Sequence, residues 1–193
     1  MQTEDLRKLV DKIQRLQCEM QTVELKSANK GCPTRLYDTL SSFANQDEGG
    51  VIVFGIDEGK GFEVVGVYDA QDLQKKVTEQ CNQMSPCVRA LFTVCEIDDK
   101  VVVSAEIPGL DVAERPCFYR GTGRLKGAYI RVGDADEPMS EYEIYSYDAF
   151  RKRIRDDIRE ATGARRSFFD EEKLACFLQA VKKDRKNLAK HVS

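Results

Sequence analysis

Glu19, Glu24 and the pair Asp57-Glu58 are the residues of this chain best suited to chemistry. Glu24 and Lys26 stand two apart on an expected strand, so their side chains leave by one face. A carboxylate beside a lysine, joined by carboxylates from a neighbouring strand end, can hold a divalent ion. Such an ion polarises a phosphodiester and generates hydroxide. Magnesium or manganese is the candidate, and no cofactor is demanded by the sequence. The same groups would serve as ordinary solvated strand-end charges, and spacing alone does not choose, because 33% of the residues are charged.

A second set lies in the segment from Phe118 to Arg131, where Arg120, Arg124, Lys126 and Arg131 alternate with glycines, Tyr119 and Tyr129. Guanidinium and ammonium groups there can meet phosphates, and the rings can stack on bases. The alternative is a plain hairpin with a solvated tip. The segment is not a Walker motif, and neither is Gly59-Lys60-Gly61. Arg151, Lys152, Arg153, Arg155 and Arg159 interleave with Asp156, Asp157 and Glu160, which reads as intrahelical pairing on an exposed face. The single histidine, His191, lies near the end of the chain, which leaves little room for a Ser/His/Asp or Cys/His machine.

Composition narrows the classes further. A net charge of −3 excludes a wholly basic coat protein, so any nucleic-acid contact must rest on a local patch. The seven cysteines are scattered without a CxxC pair, which argues against structural zinc. They read as reduced, mostly core-filling thiols. With no signal segment and no membrane-spanning apolar run, the expected location is cytoplasmic, with no membrane partner.

The elements that must position these residues follow from periodicity. Leu6, Leu9, Ile13 and Leu16 predict an amphipathic first helix, and Thr22–Lys26 a short strand. Pro33 and Thr34 open a helix carrying Leu36, Leu40 and Phe43. The run Val51–Ile56 reads as one strand covered on both faces, partnered by Phe62–Val67. A helix is expected from about 69 to 84, then strands at 88–97 and 100–107 around an Asp98-Asp99 turn. Phe118-Tyr119 and Ala128–Val132 form the last expected hairpin. Ser140 with Glu143 is a capping box that starts a long helix ending near Gly163. A short helix follows over about 170–182, and then a basic, coreless tail. The fold class is therefore α/β (α+β), a mixed and mostly antiparallel sheet packed with helices and followed by a helical C-terminal extension. The expected divisions are 1–138, a long helix over 139–165, and an extension over 166–193 that begins a further region.

Cys18 to Lys26, with its two glutamates five apart and its Glu-Leu-Lys, resembles the opening of Schlafen-type AlbA-like domains. Ser42-Phe43-Ala44-Asn45 followed by Gly49-Gly50 and Val51 to Glu58 is similar to that family's central motif. Val64–Val67 and Tyr129–Gly133 match its later landmarks. The loop Gln46-Asp47-Glu48 is one residue longer than the common form, and Glu58 stands where aspartate is frequent.

This resemblance implies a nucleic-acid-binding, in particular DNA-binding, module of a transcriptional regulator. An alternative it also implies is a metal-dependent endoribonuclease, with Glu19, Glu24 and Glu58 catalytic, Asp57 able to substitute as a ligand, and Lys26 neutralising charge. A third reading is a structural or dimerisation domain without nucleic-acid contact. Expected partners are DNA or RNA, with a homo-oligomer left open.

Overall fold

The computed structural model describes residues 1–151 and 170–189, with side chains through residue 181. The chain divides into two compact units, Met1–Arg153 and Ile154–Ser193.

The first unit opens with α1 (Thr3–Leu16) and β1 (Val23–Lys26). Leu6, Val10 and Ile13 of α1 are buried, as their three- and four-residue spacing requires. The Asp5 carboxylate accepts a hydrogen bond from the Gln2 N–H at the helix start, where backbone donors are otherwise unpaired. The next elements are α2 (Tyr37–Ala44), β2 (Gly50–Phe54) and β3 (Ile56–Asp57). Helix α2 begins four residues later than the proline suggested.

The apolar run expected as one strand is two strands. Gly55 breaks it with φ of +104°, and its carbonyl accepts from Val65 and Gly66. Only glycine tolerates that backbone readily. A short 3₁₀ turn (Glu58–Lys60) and β4 (Glu63–Val64) return antiparallel to β3.

Helix α3 (Ala70–Cys81) is capped by Asp69, whose side chain accepts from Asp72 N at 2.7 Å. Met84, expected as the end of this helix, pairs into β5 instead (Met84–Ser85). The hairpin β6 (Leu91–Ile97) and β7 (Lys100–Ile107) turns at Asp98 and Asp99, both at positive φ, which suits the twist of two adjacent strands.

The main sheet runs β1-β2-β7-β6. The β1–β2 pair is parallel, joined across α2, and the other pairs are antiparallel. Alternation divides two cores. Ile52, Phe54, Val103 and Ala105 pack with Leu40, Phe43, Leu73 and Val77 from α2 and α3. Val53 and Val102 pack with Leu6, Val10 and Ile13 of α1 on the other face. A sheet covered on both sides accounts for the apolar run in β2.

The remaining elements are β8 (Phe118–Tyr119), α4 (Arg124–Gly127), β9 (Tyr129–Val132), β10 (Ala135–Pro138) and α5 (Glu141–Arg151). The last hairpin differs from expectation. Phe118-Tyr119 pairs with β5, touching Ala128 only through an isolated bridge, and β9 pairs with β10. Ser140 and Glu143 form the expected capping box at α5. The part of the expected long helix beyond Arg151 lies outside the described residues.

In the second unit, α6 spans Glu171–Ala189, so helix continues through most of the stretch read as a coreless tail. Among the described residues, no helix is long and apolar enough to cross a membrane. All seven cysteines are free, but only Cys81, Cys95 and Cys117 are buried, fewer than expected. Burial pushes the Cys81 and Cys117 thiols up to about 12, which keeps them protonated and unreactive.

Candidate functional site

Strand β1 leaves Glu24 and Lys26 on one face, and the Lys26 ammonium pairs with Glu24 Oε1. Glu19, in the turn before the strand, accepts a hydrogen bond from Leu25 N at 2.9 Å. The element that completes the group is β9. Arg131, expected among surface cations, is buried, its side chain only 1% exposed. Its Nη1 lies 2.9 Å from Glu24 Oε2 and 3.0 Å from Asp136 Oδ1, while Nη2 comes within 3.8 Å of Glu19 Oε2. The face of the Phe43 ring covers the guanidinium at 5.3 Å, a cation–π contact. Burial by itself would lower the Arg131 pKa. Hydrogen bonding and charge from Asp136 and Glu24 outweigh it, and the guanidinium is held more firmly charged than a free arginine.

Helix α2 supplies the floor. Thr39 and Ser42 donate to the two oxygens of Asp136 at 2.7 and 2.6 Å. Asn45 uses its whole amide. Its nitrogen donates to the carbonyls of Cys117 and Tyr129, and its oxygen accepts from Cys117 N at 2.7 Å. The Ser-Phe-Ala-Asn motif therefore ties β9 and the chain before β8 to the core. Asp136, Thr39 and Ser42 were not anticipated as site residues. The nearest sequence signal was the motif itself, together with an aspartate five residues after Arg131, where a tight hairpin brings the two strands opposite.

The other predicted carboxylates stand further out. Glu58 is exposed and reaches Glu19 only through charge repulsion. Asp57 is half-buried, 3.8 Å from Lys60 Nζ. Among the described residues, no three His, Cys, Asp or Glu side chains are arranged to hold a metal ion. Glu24 faces Arg131 and Lys26, and Asp136 faces Arg131, where an ion would need free carboxylates.

The predicted cations separate as well. Arg120 donates to the carbonyls of Gln83 and Asn82. Arg124 donates to Asp148 at 2.8 Å. Lys126 is exposed. The glycine-rich segment is packed: Tyr119 stacks on Tyr37 with centroids 3.8 Å apart, and a Cβ on Gly121 would come within 2.4 Å of the Tyr119 ring.

Burial raises the Glu19 pKa above 4.5, and the charges of Glu24 and Glu58 add to it, outweighing the Leu25 N–H. A carboxyl with a raised folded-state value binds more protons folded than unfolded, so stability is lost as pH rises through that window. Glu19→Gln keeps an acceptor for Leu25 and removes the penalty. The variant is expected to match or fall below wild type near pH 4 and gain on it as pH rises toward neutrality. Urea unfolding across this range checks it, and a difference independent of pH rejects the assignment.

Residues 19–140 match the family described as Schlafen, AlbA_2, well over half of the chain. The chain belongs to the Schlafen AlbA_2 family. No curated protein matches it. Among solved structures, it is similar to the N-terminal domain of a RecG-related protein from Nitrosomonas europaea. The two are 25% identical with a TM-score of 0.53, over 69% of this chain and 92% of that one. It also aligns with the DIP2311 protein from Corynebacterium diphtheriae at 16% identity and a TM-score of 0.49, over 76% of this chain and 28% of that one. In this Schlafen AlbA_2 domain the motifs on which the resemblance rested converge on Arg131: the Glu19–Glu24 pair, the α2 motif bearing Phe43, and the Tyr-Ile-Arg of β9.

Proposed function

We propose that this domain is a nucleic-acid-binding module serving a transcriptional regulator, with Arg120, Arg124 and Lys126 making the phosphate contacts. The observation that carries this reading is Arg131 seated between Glu24 and Asp136. Glu24 and Asp136 are paired with cations of the fold itself, which favours a structural role for the cluster over ion-dependent hydrolysis. Support also comes from the likeness to a domain of a protein named for its relation to the helicase RecG.

With Arg131 withdrawn into the core, at most three cations of the segment remain to meet phosphates. Each neutralised phosphate of duplex DNA contributes about −0.9 to the slope of log affinity against log salt. Weak binding with a slope of about −2 to −3 is expected. Lys126→Ala should flatten it by about one unit, and Arg124→Ala by less, because Asp148 already shares that charge. Fluorescence anisotropy over a salt series, with single-stranded and duplex DNA and RNA, measures this. A double variant that keeps both affinity and slope rejects the surface.

The competing reading is a metal-dependent endoribonuclease. It is favoured by one observation, the repulsion that Glu24 and Glu58 add to burial in raising the Glu19 pKa, which a divalent cation would relieve. Under it, manganese supports cutting of structured RNA, and Glu24→Gln abolishes cutting while the protein stays folded. Cutting that persists in that variant, or proceeds in chelator, excludes the reading.

A further inference from the structure

The two edges of the main sheet end differently. At β1 the outward backbone donors are taken up by the preceding turn: Val23 N donates to the Met20 carbonyl at 2.8 Å and Leu25 N to Glu19 at 2.9 Å. At the other edge, β6 pairs only with β7. The two strands run in unbroken register, and β6 carries no bulge, proline or lysine, the devices that usually blunt an edge.

That register dictates which backbone groups face out. Ile97 and Lys100 flank a two-residue turn and so form a hydrogen-bonded pair, and such pairs recur at every second residue. Leu91, Thr93, Cys95 and Ile97 therefore bond to β7, while Phe92, Val94 and Glu96 direct N–H and C=O away from it. The Val101 carbonyl, which accepts from Val67 N on the far side of β7, fits this alternation. Among the described residues, no hydrogen bond reaches the three outward N–H groups. Val94, at the centre of the strand, is 41% exposed, and Leu91 64%.

The sequence of β6 selects a copy of itself as the partner. An antiparallel pair centred on Val94 sets Val94 opposite itself and Phe92 opposite Glu96. All three outward residues then meet outward residues, with two backbone bonds in each pair. Moving the axis to Thr93 would put Glu96 opposite Ala90, and moving it to Cys95 would put Phe92 opposite Asp98, both outside the strand. With the axis at Val94, Leu91 lies across from Ile97, an apolar pair on the face that α1 covers. Just beyond, Arg89 of each copy lies across from Asp99 of the other, both exposed. Opposite charges thus meet at both ends of the interface. Parallel pairing would set Arg89, Glu96 and Asp99 each beside its own like.

We propose that β6 is a self-association edge, pairing antiparallel with β6 of a second copy of this chain across a two-fold axis through Val94. The two main sheets then continue as one. Such an interface is isologous, the arrangement most common in homodimers.

Sedimentation equilibrium on the full chain, from micromolar to millimolar concentration, measures the association, and hydrogen exchange locates it. Wild type should dimerise. Exchange at the Phe92, Val94 and Glu96 amides should slow as concentration rises, while Thr93 and Cys95, already bonded to β7, stay constant. Val94→Lys brings like charges together at the axis and should weaken the dimer by roughly tenfold or more. Val94→Pro removes a donor that β7 does not use and should weaken it similarly. Arg89→Glu, set against Asp99, should weaken it by roughly threefold or more. Circular dichroism checks that each variant keeps its fold, and the exchange measurement on wild type needs no variant. A monomer at every concentration overturns the proposal. So does a dimer that leaves the three outward amides unprotected or that forms equally well with Val94→Lys. A dimer indifferent to Arg89→Glu overturns the register centred on Val94.

Discussion

Replacing Arg131 with methionine is expected to lower the unfolding free energy by about 3–5 kcal/mol, the usual result of removing one partner from a buried ion network. Methionine fills much of the same volume, so the loss reports charge more than space. Glu24 and Asp136 would remain largely buried, with Lys26 and two hydroxyls as their only compensation. Arg131→Lys should fall between, because a single ammonium cannot reproduce the planar fork that serves both carboxylates. The urea midpoint should shift with its slope unchanged. A shift worth less than about 1 kcal/mol would show that the cluster does not depend on the arginine. The same pair of variants separates a scaffold from a contact: a phosphate-binding arginine would tolerate lysine without loss of stability.

Phe43 joins the family motif in α2 to the glycine pair at β2. It is fully buried, lies beneath the Arg131 guanidinium, and has its ring carbons within 2.4–2.5 Å of where a Cβ on Gly50 would stand. Phe43→Ala should cost about 3–5 kcal/mol through lost burial and a cavity. Gly50→Ala should cost about 1–3 kcal/mol by forcing the ring to move. The two share one space, so the double variant should cost less than the sum by about 1 kcal/mol or more. Additive costs in a double-mutant cycle would mean that the ring can move aside freely, and that Gly50 is needed for another reason.

Much of the framework was legible in the sequence because it depends on local periodicity. Helix α1, the Asp98-Asp99 turn and the Ser140–Glu143 cap each arise from residues a few positions apart, and each forms, although α1 buries Val10 where Leu16 was expected and leaves Leu16 exposed. The Glu24–Lys26 pair was legible for the same reason, since a strand places alternate residues on one face. Where local pattern misled, tertiary pairing had the stronger claim. Phe118-Tyr119 found an unanticipated partner in β5, and β9 took β10, because a two-residue strand has no periodicity with which to state its register. Gly55 split an apolar run that hydropathy alone could not divide.

The fate of Arg131 was beyond the sequence altogether. Beside Arg120, Arg124 and Lys126 it is one more cation among glycines and tyrosines. Only the fold brings Glu24 from more than a hundred residues away, Phe43 from α2 and Asp136 from the next strand around one guanidinium. Burying a charge is tolerated only where several partners meet it at once, and those partners are assembled by the packing of β1, α2, β9 and β10, not by their order in the chain.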